Sequence, residues 1–153
     1  MDPKENRRVA LLSIHPHFAE AIMNRTKLVE FRKTRFAADV REVIVYSTSP
    51  IMSVIGSFEI GSIYEASPEK LWTRYESVAG IDKRAFFAYY ADRTAGIAIE
   101  VSRVLRLDGP VPLSRLGRSL VPPQAFLYVS YDRYCALFLS HRSHRRSAPA
   151  IDA

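Results

Sequence analysis

Strand-forming segments outnumber helical ones in this chain, and they do not alternate as regular strand–helix–strand units, which limits the folds open to it. Val9 to Ile14 is a short apolar run that reads as a buried strand. His15-Pro16 ends it, and Pro16 suits the first turn of a helix in which Phe18, Ala21 and Ile22 recur at helical spacing, up to Asn24. Leu28 to Arg32 alternates, with Val29 and Phe31 on one face and Leu28, Glu30 and Arg32 on the other. Glu42 to Thr48 and Val54 to Tyr64 are rich in Val, Ile, Tyr and Phe, which fit a pleated surface. Pro50 breaks the connection between them, and Gly56 and Gly61 mark bulges or a close backbone approach.

Ser67-Pro68-Glu69 has the makings of a helix start: a capping hydroxyl, a proline at the first position and an acid in the first turn. Another helix begins near Asp82 and turns Phe86, Tyr89 and Tyr90 inward. Gly96 to Leu107 alternates as a long strand, and Pro110 to Gly117 is a loop or a single helical turn. Pro122-Pro123 introduces a last strand, Ala125 to Ser130. The order predicts an α+β fold with a small mixed, barrel-like sheet and flanking short helices, not a doubly wound one. One domain is expected over residues 9–130, between an N-terminal tail (1–8) and a basic, partly disordered extension (131–153).

Charge is focused within that domain. Between Val9 and Ser130 the chain has fifteen Lys or Arg against twelve Asp or Glu, a net of +3. Arg25 to Arg35 alone carries five cations and one acid, Glu30, a net of +4, so the rest of the domain is slightly acidic. A focused basic patch is the electrostatic footprint of a phosphate-binding surface. One cysteine, Cys135, gives no internal disulfide framework and suits a reducing compartment. No apolar run reaches the ~18–20 residues of a membrane span, and the first eight residues lack the apolar stretch of a secretory signal. The expectation is a cytoplasmic protein that does not enter a membrane.

Leu11-Leu12-Ser13-Ile14-His15-Pro16, then Lys27-x-x-Glu30-x-Arg32, then a strand ending in Tyr46-Ser47-Thr48-Ser49-Pro50 resembles the ASCH domain, a family of the PUA-like superfamily of small β-barrels associated with RNA. The family signature is Gly-x-Lys-x-x-Glu-x-Arg, and its Lys, Glu and Arg positions fall on Lys27, Glu30 and Arg32. Arg25 stands where the signature has glycine, with Asn24 before it as a residue that also tolerates positive φ. Pro68 to Trp72, Gly80-Ile81 to Tyr90, Gly96 to Ile99 and Pro122 to Phe126 extend the resemblance in order over residues 9–130. It implies an RNA- or nucleotide-binding module acting in translation or transcription control.

The candidate ligand-binding residues are Lys27, Glu30, Arg32, Lys33, Arg35, Ser13, Ser47, Thr48 and Ser49. A carboxylate that holds a guanidinium fixes its fork for a phosphate or a base edge, and Lys27 adds a point charge. The same carboxylate can accept from an exocyclic amine. The serines and threonine offer hydroxyl and backbone donors around the mouth, although Ser47 to Ser53 also reads as an ordinary turn. His15 serves equally as a helix-end residue or a ligand contact. Trp72, Tyr90, Phe126 and Tyr128 are candidates for base stacking, against a simpler reading as core.

A catalytic reading competes with binding. The resemblance includes amidohydrolases of acetylated cytidine, in which a Thr at the signature's Glu position acts with the Lys; here that position is Glu30, and Thr26 and Thr34 are out of register. The nucleophilic scheme therefore loses its attacking atom, but Lys27 and Glu30 could still perform acid–base work as a small hydrolase or a ribonuclease. A third reading docks a protein partner on the aromatic helix Asp82–Ala91. No cofactor is expected, and no metal: Cys135, His141 and His144 are the only clustered ligand types and no second cysteine completes a zinc set.

Overall fold

The computed structural model describes residues 7–139. Strand β1 (Arg8–Ile14) buries Ala10, Leu12 and Ile14 against one core and Val9 and Leu11 against another, so its alternation supplies both faces of the sheet. Helix α1 (Pro16–Met23) starts on Pro16 and covers the first face with Ala19, Ile22 and Met23. Strand β2 is short (Val29–Arg32); β3 runs Glu42–Ser47 and β4 Ser53–Ala66. Helix α2 (Pro68–Tyr75) is capped by the Ser67 hydroxyl, which accepts from the Lys70 amide at 3.3 Å. A 3-10 turn (Glu76–Val78) leads to α3 (Lys83–Tyr89), whose cap Asp82 accepts from the Ala85 amide at 2.8 Å.

Strand β5 (Gly96–Val111) is followed by a 3-10 turn (Leu113–Arg115), then β6 (Phe126–Ser130) and α4 (Tyr131–Phe138). The six strands form one mixed sheet in the order β2-β5-β4-β3-β1-β6, with β1 and β3 parallel and the other neighbours antiparallel. Backbone pairing does not join β2 to β6 among the described residues, so these are the two edges and the ladder itself is open. Register shifts between Val54 and Gly56, between Glu59 and Ile60 and between Ile60 and Ile63 bend β4 along β5, the first ending on Gly56 and the last enclosing Gly61, the glycines that sequence marked as bulge sites. Gly56 also packs closely: a Cβ there would lie 2.5 Å from the Leu105 carbonyl oxygen.

Three sequence expectations change. Asn24 keeps φ −89°, and Arg25 itself takes the left-handed conformation at φ 65°. The Arg25 amide donates to the Ile22 carbonyl at 3.1 Å and the Thr26 amide to the Ala21 carbonyl at 2.9 Å, the paired closure of a Schellman helix end. Tyr89, expected inside, is 37% exposed, while Phe86 and Tyr90 are buried. A seven-residue helix has room to bury one stripe, and Phe86 and Tyr90 occupy it.

The chain after Ser130, assigned from sequence to a basic extension, first forms α4, whose Tyr134, Leu137 and Phe138 complete the second core beside Leu113 and Leu116. The tail from Ser140, including His141 and His144, lies outside the described residues. A third core gathers Val29 and Phe31 of β2 with Leu71, Tyr75, Phe86 and Tyr90. No helix among the described residues is long and apolar enough to cross a membrane.

Candidate functional site

The end of β1, the start of α1, strand β2 and helix α3 meet around a cavity of about 200 Å³ lined by Ser13, His15, Phe18, Lys27, Glu30, Arg32 and Tyr89, with Ile14, Phe31, Ile81 and Phe86. Lys27 is its most enclosed cation, 2% exposed. The Schellman end of α1 delivers it: both the Thr26 and the Lys27 amides donate back to the Ala21 carbonyl, and Leu28 then pairs with the Val78 carbonyl at 3.0 Å. The Lys27 ammonium donates to the Ala79 carbonyl at 2.5 Å and lies 5.2 Å from the ring centres of both Phe18 and Phe31. Burial favours the neutral amine and pulls its pKa below the ordinary lysine value; Glu30 opposes that shift and Arg32 adds to it.

Glu30 is 7% exposed. One carboxylate oxygen accepts from Arg32 Nε at 3.0 Å; the other makes no hydrogen bond to a described residue. Arg32 uses the remainder of its fork on the protein. Nη2 donates to the Ser13 carbonyl at 2.9 Å and Nη1 to the Ala125 carbonyl at 3.3 Å. One side chain on the β2 edge thereby reaches β1 and the entry to β6, across the opening of the sheet. The Arg32 carbonyl in turn accepts from the Tyr90 hydroxyl at 2.9 Å. This guanidinium is a fixed brace, and its nearest service is to orient Glu30.

Ser13 brings a buried hydroxyl with no partner among the described residues to the same wall. Ser47, Thr48 and Ser49 do not join it. Ser47 pairs in the sheet with Ile14 and lines a different cavity with His17, Glu20 and Arg106. The Thr48 carbonyl accepts from the Ile51 and Met52 amides, the work of a turn. Lys33 pairs with Asp92 at 3.6 Å and sits 4.8 Å from the Tyr89 ring centre, and Arg35 pairs with Glu65 at 3.7 Å on the surface. The cations of the 25–35 segment therefore point in several directions, each toward a protein partner.

Tyr89 is a lining residue that the sequence reading placed in the core. Its hydroxyl is held toward the neutral form by burial, with Arg32 working against that and Glu30 with it. Gly80, with φ +64°, passes its backbone over the Lys27 stem. Positive φ beside a distant lysine partner leaves no pattern that periodicity can detect. Trp72, Tyr90 and Phe126 pack in clusters, Trp72 against Phe86 at 5.1 Å and Phe126 against Phe36 at 5.1 Å. Tyr128 holds the Arg8 guanidinium 4.4 Å from its ring centre and accepts from the Ala37 amide. Among the described residues no three His, Cys, Asp or Glu side chains gather as a metal set.

No family model matches the chain. Over 127 residues it is 26% identical to an ASCH domain-containing ribonuclease of Zymomonas mobilis, covering 81% of this chain and 86% of that protein. The crystal structure of ASCH from Zymomonas mobilis superposes with a TM-score of 0.75 at 25% identity, covering 92% of this chain and 98% of that one. A large ribosomal subunit protein uL22 of Ureaplasma parvum is 27% identical over 127 residues, but this chain spans only 40% of its length. Fold and sequence place the chain among the α+β proteins built on this sheet. Its neighbours in sequence and in structure are ASCH domain proteins, which supports its assignment to the ASCH domain family.

Proposed function

We propose that the chain acts on RNA, taking one nucleotide of a single strand into the Lys27–Glu30 cavity and cleaving the adjoining phosphodiester. The observation that carries this reading is the pairing of a buried lysine of lowered pKa with a carboxylate whose second oxygen has no partner among the described residues. The ribonuclease relative supports RNA as the substrate. The cavity is smaller than the roughly 300–1,000 Å³ of drug-sized pockets, which suits a single nucleotide and not a duplex. Phe18, Phe31 and Tyr89 offer ring faces or edges to a base. Arg32 closes the gap between the sheet edges through its side chain, which is how we read the barrel-like wall behind the site.

In the proposed step Glu30 takes the proton from a ribose 2′-hydroxyl, and the 2′-oxygen attacks phosphorus. The bond to the 5′-oxygen breaks, and Lys27 gives that oxygen a proton. The products are a 2′,3′-cyclic phosphate and a 5′-hydroxyl, with no atom left unaccounted for. A lysine of lowered pKa surrenders its proton more readily than an ordinary one, which suits the acid role. Thr26 offers no competing nucleophile, since its hydroxyl is engaged with Asn24 Oδ1 at 2.7 Å in the turn.

The test is cleavage of single-stranded RNA by the wild type, Lys27→Met and Glu30→Gln, with a 2′-deoxy nucleotide at the scissile position as control. Cyclic-phosphate products that disappear in both variants and in the deoxy control are expected. Cleavage that persists without the 2′-hydroxyl overturns the mechanism. A second reading is binding without cleavage, as in a regulator of translation or transcription, and the enclosed aromatic walls favour it as a base-holding pocket. Affinity lost in Lys27→Met, with no product formed by the wild type, selects that reading.

A further inference from the structure

One group of arginines with no carboxylate partner among the described residues lies away from this cavity. Residues 113–146 contain six arginines and one acid, Asp132, a net of +5 in a chain of net +6. Three of those arginines, Arg115, Arg118 and Arg133, line one open cavity of about 590 Å³ with Ser114, Ser119 and Gly117. It lies where the 3-10 turn after β5 meets α4, on the side of the sheet opposite α1. Arg133 is pinned there: its amide donates to the Ser130 hydroxyl at 3.2 Å and its Nη1 to the Leu116 carbonyl at 3.1 Å. Gly117 keeps that path clear, since a Cβ would lie 2.7 Å from Arg133 Nη1. Arg115 and Arg118 are exposed and make no ion pair with a described residue.

The contrast with Arg25 to Arg35 decides where an anion would gain most. There each cation already has a protein acceptor: Ser102, Ala79, Glu30, Asp92 or Glu65. Around the second cavity three arginines share one lining that holds no carboxylate, and a bound phosphate would supply the counter-charge. Guanidinium forks match phosphate oxygens in pairs, and flanking serine hydroxyls can donate to the same group.

We infer that the Arg115–Arg118–Arg133 face is a phosphate-contacting surface for the RNA backbone, separate from the Lys27 cavity. It supplies affinity and salt dependence, and the cavity handles the single nucleotide; the choice of RNA rests on the function proposed above.

The experiment uses the full chain and a non-cleavable 2′-O-methyl single strand long enough to pass from one cavity to the other. Affinity is titrated across salt for the wild type, for Arg115→Gln/Arg118→Gln and for Lys27→Met. A 2′-O-methyl dinucleotide serves as a probe too short to reach both sites. Losing two phosphate contacts should flatten the slope of log K against log salt by about 1.4, at roughly 0.7 per contact on a single strand. Dinucleotide binding should stay unchanged in the arginine variant. An unaltered slope with the fold intact overturns the inference, while loss of dinucleotide binding in Lys27→Met keeps the cavity reading. Conversely, a flattened slope with Lys27→Met indistinguishable from wild type upholds the arginine face and overturns the cavity. Absence of any RNA binding overturns both. Equal binding to deoxyribose strands assigns the face to phosphate alone, which the inference expects; binding to anionic lipid vesicles but not to RNA overturns it.

Discussion

A Cβ on Gly80 would lie 2.6 Å from both Cβ and Cγ of Lys27, so the glycine backbone and the lysine stem occupy adjoining space with nothing to spare. Gly80 also holds φ +64°, where an L side chain is strained by roughly 1–2 kcal/mol. Gly80→Ala combines that strain with overpacking, which typically costs a further 1–3 kcal/mol, for an expected loss of about 2–5 kcal/mol. The same change displaces the Ala79 carbonyl that fixes the ammonium. Denaturant unfolding and RNA cleavage or binding should therefore fall together. A variant of unchanged stability and activity would show that the loop yields without disturbing Lys27.

Lys27 also predicts a pH dependence. Its folded-state pKa lies below its unfolded value of about 10.4, chiefly because burial disfavours the charged amine. Between those two values the unfolded chain binds more protons than the folded one, so the contribution of Lys27 to stability rises with pH. Below the lowered pKa the full penalty of a buried charge is present. Lys27→Met has no such group, so any stability it gains over wild type should shrink as pH rises through that window. The raised tyrosines, such as Tyr75 at about 12, act on both proteins and cancel in the difference. Parallel stability–pH curves for the two proteins would refute the assignment. For cleavage, the alkaline limb of kcat/KM should fall below the range of an ordinary lysine, since Lys27 must be protonated to act as the acid.

Arg25 occupies the left-handed C′ position of the α1 helix end, where glycine bears no side-chain penalty. Its guanidinium recovers part of that penalty through a 3.0 Å bond to the Ser102 carbonyl, worth on the order of 0.5–1 kcal/mol net. Arg25→Gly should leave stability level or raise it by up to about 1 kcal/mol. Arg25→Ala loses the bond and keeps the strain, so it should fall below wild type. Thermal unfolding of the pair separates the two contributions, and an alanine variant as stable as the glycine variant would mean that the φ strain is negligible.

That helix end shows what was legible in the chain. The Lys27-x-x-Glu30-x-Arg32 spacing locates side chains that meet at one cavity because a four-residue strand carries Glu30 and Arg32 on one face of its pleat and the end of α1 delivers Lys27 just before it. The order of strands and helices was legible for the same reason: alternation and capping residues are local. What escaped depends on distant partners. Asp92 and Glu65, far along the chain, take up Lys33 and Arg35, so the density of cations in the sequence did not translate into a free cationic surface. Tyr89 entered the cavity because its neighbours Phe86 and Tyr90 hold the buried stripe. Helix α4 was concealed by the arginine-rich sequence that follows it, although Tyr134, Leu137 and Phe138 keep helical spacing. The edge-to-edge bridge made by Arg32 is a side-chain event, invisible to strand patterns.

Arg32 should be the least replaceable of the cavity residues. Its Nε holds Glu30, and its Nη groups reach the carbonyls of Ser13 and Ala125. Lysine keeps the charge but has no planar fork, so it cannot make these three contacts together. Arg32→Lys is expected to lose much of the bracing, and Arg32→Gln to destabilise by about 3–5 kcal/mol by leaving Glu30 buried beside no guanidinium. Adding Glu30→Gln to Arg32→Gln removes that uncompensated charge, so the double variant should be less destabilised than the two single losses sum to. Chemical denaturation of the four proteins measures the coupling directly. Strict additivity would mean that the pair contributes nothing as a pair, and Arg32 would then act only through the sheet edges.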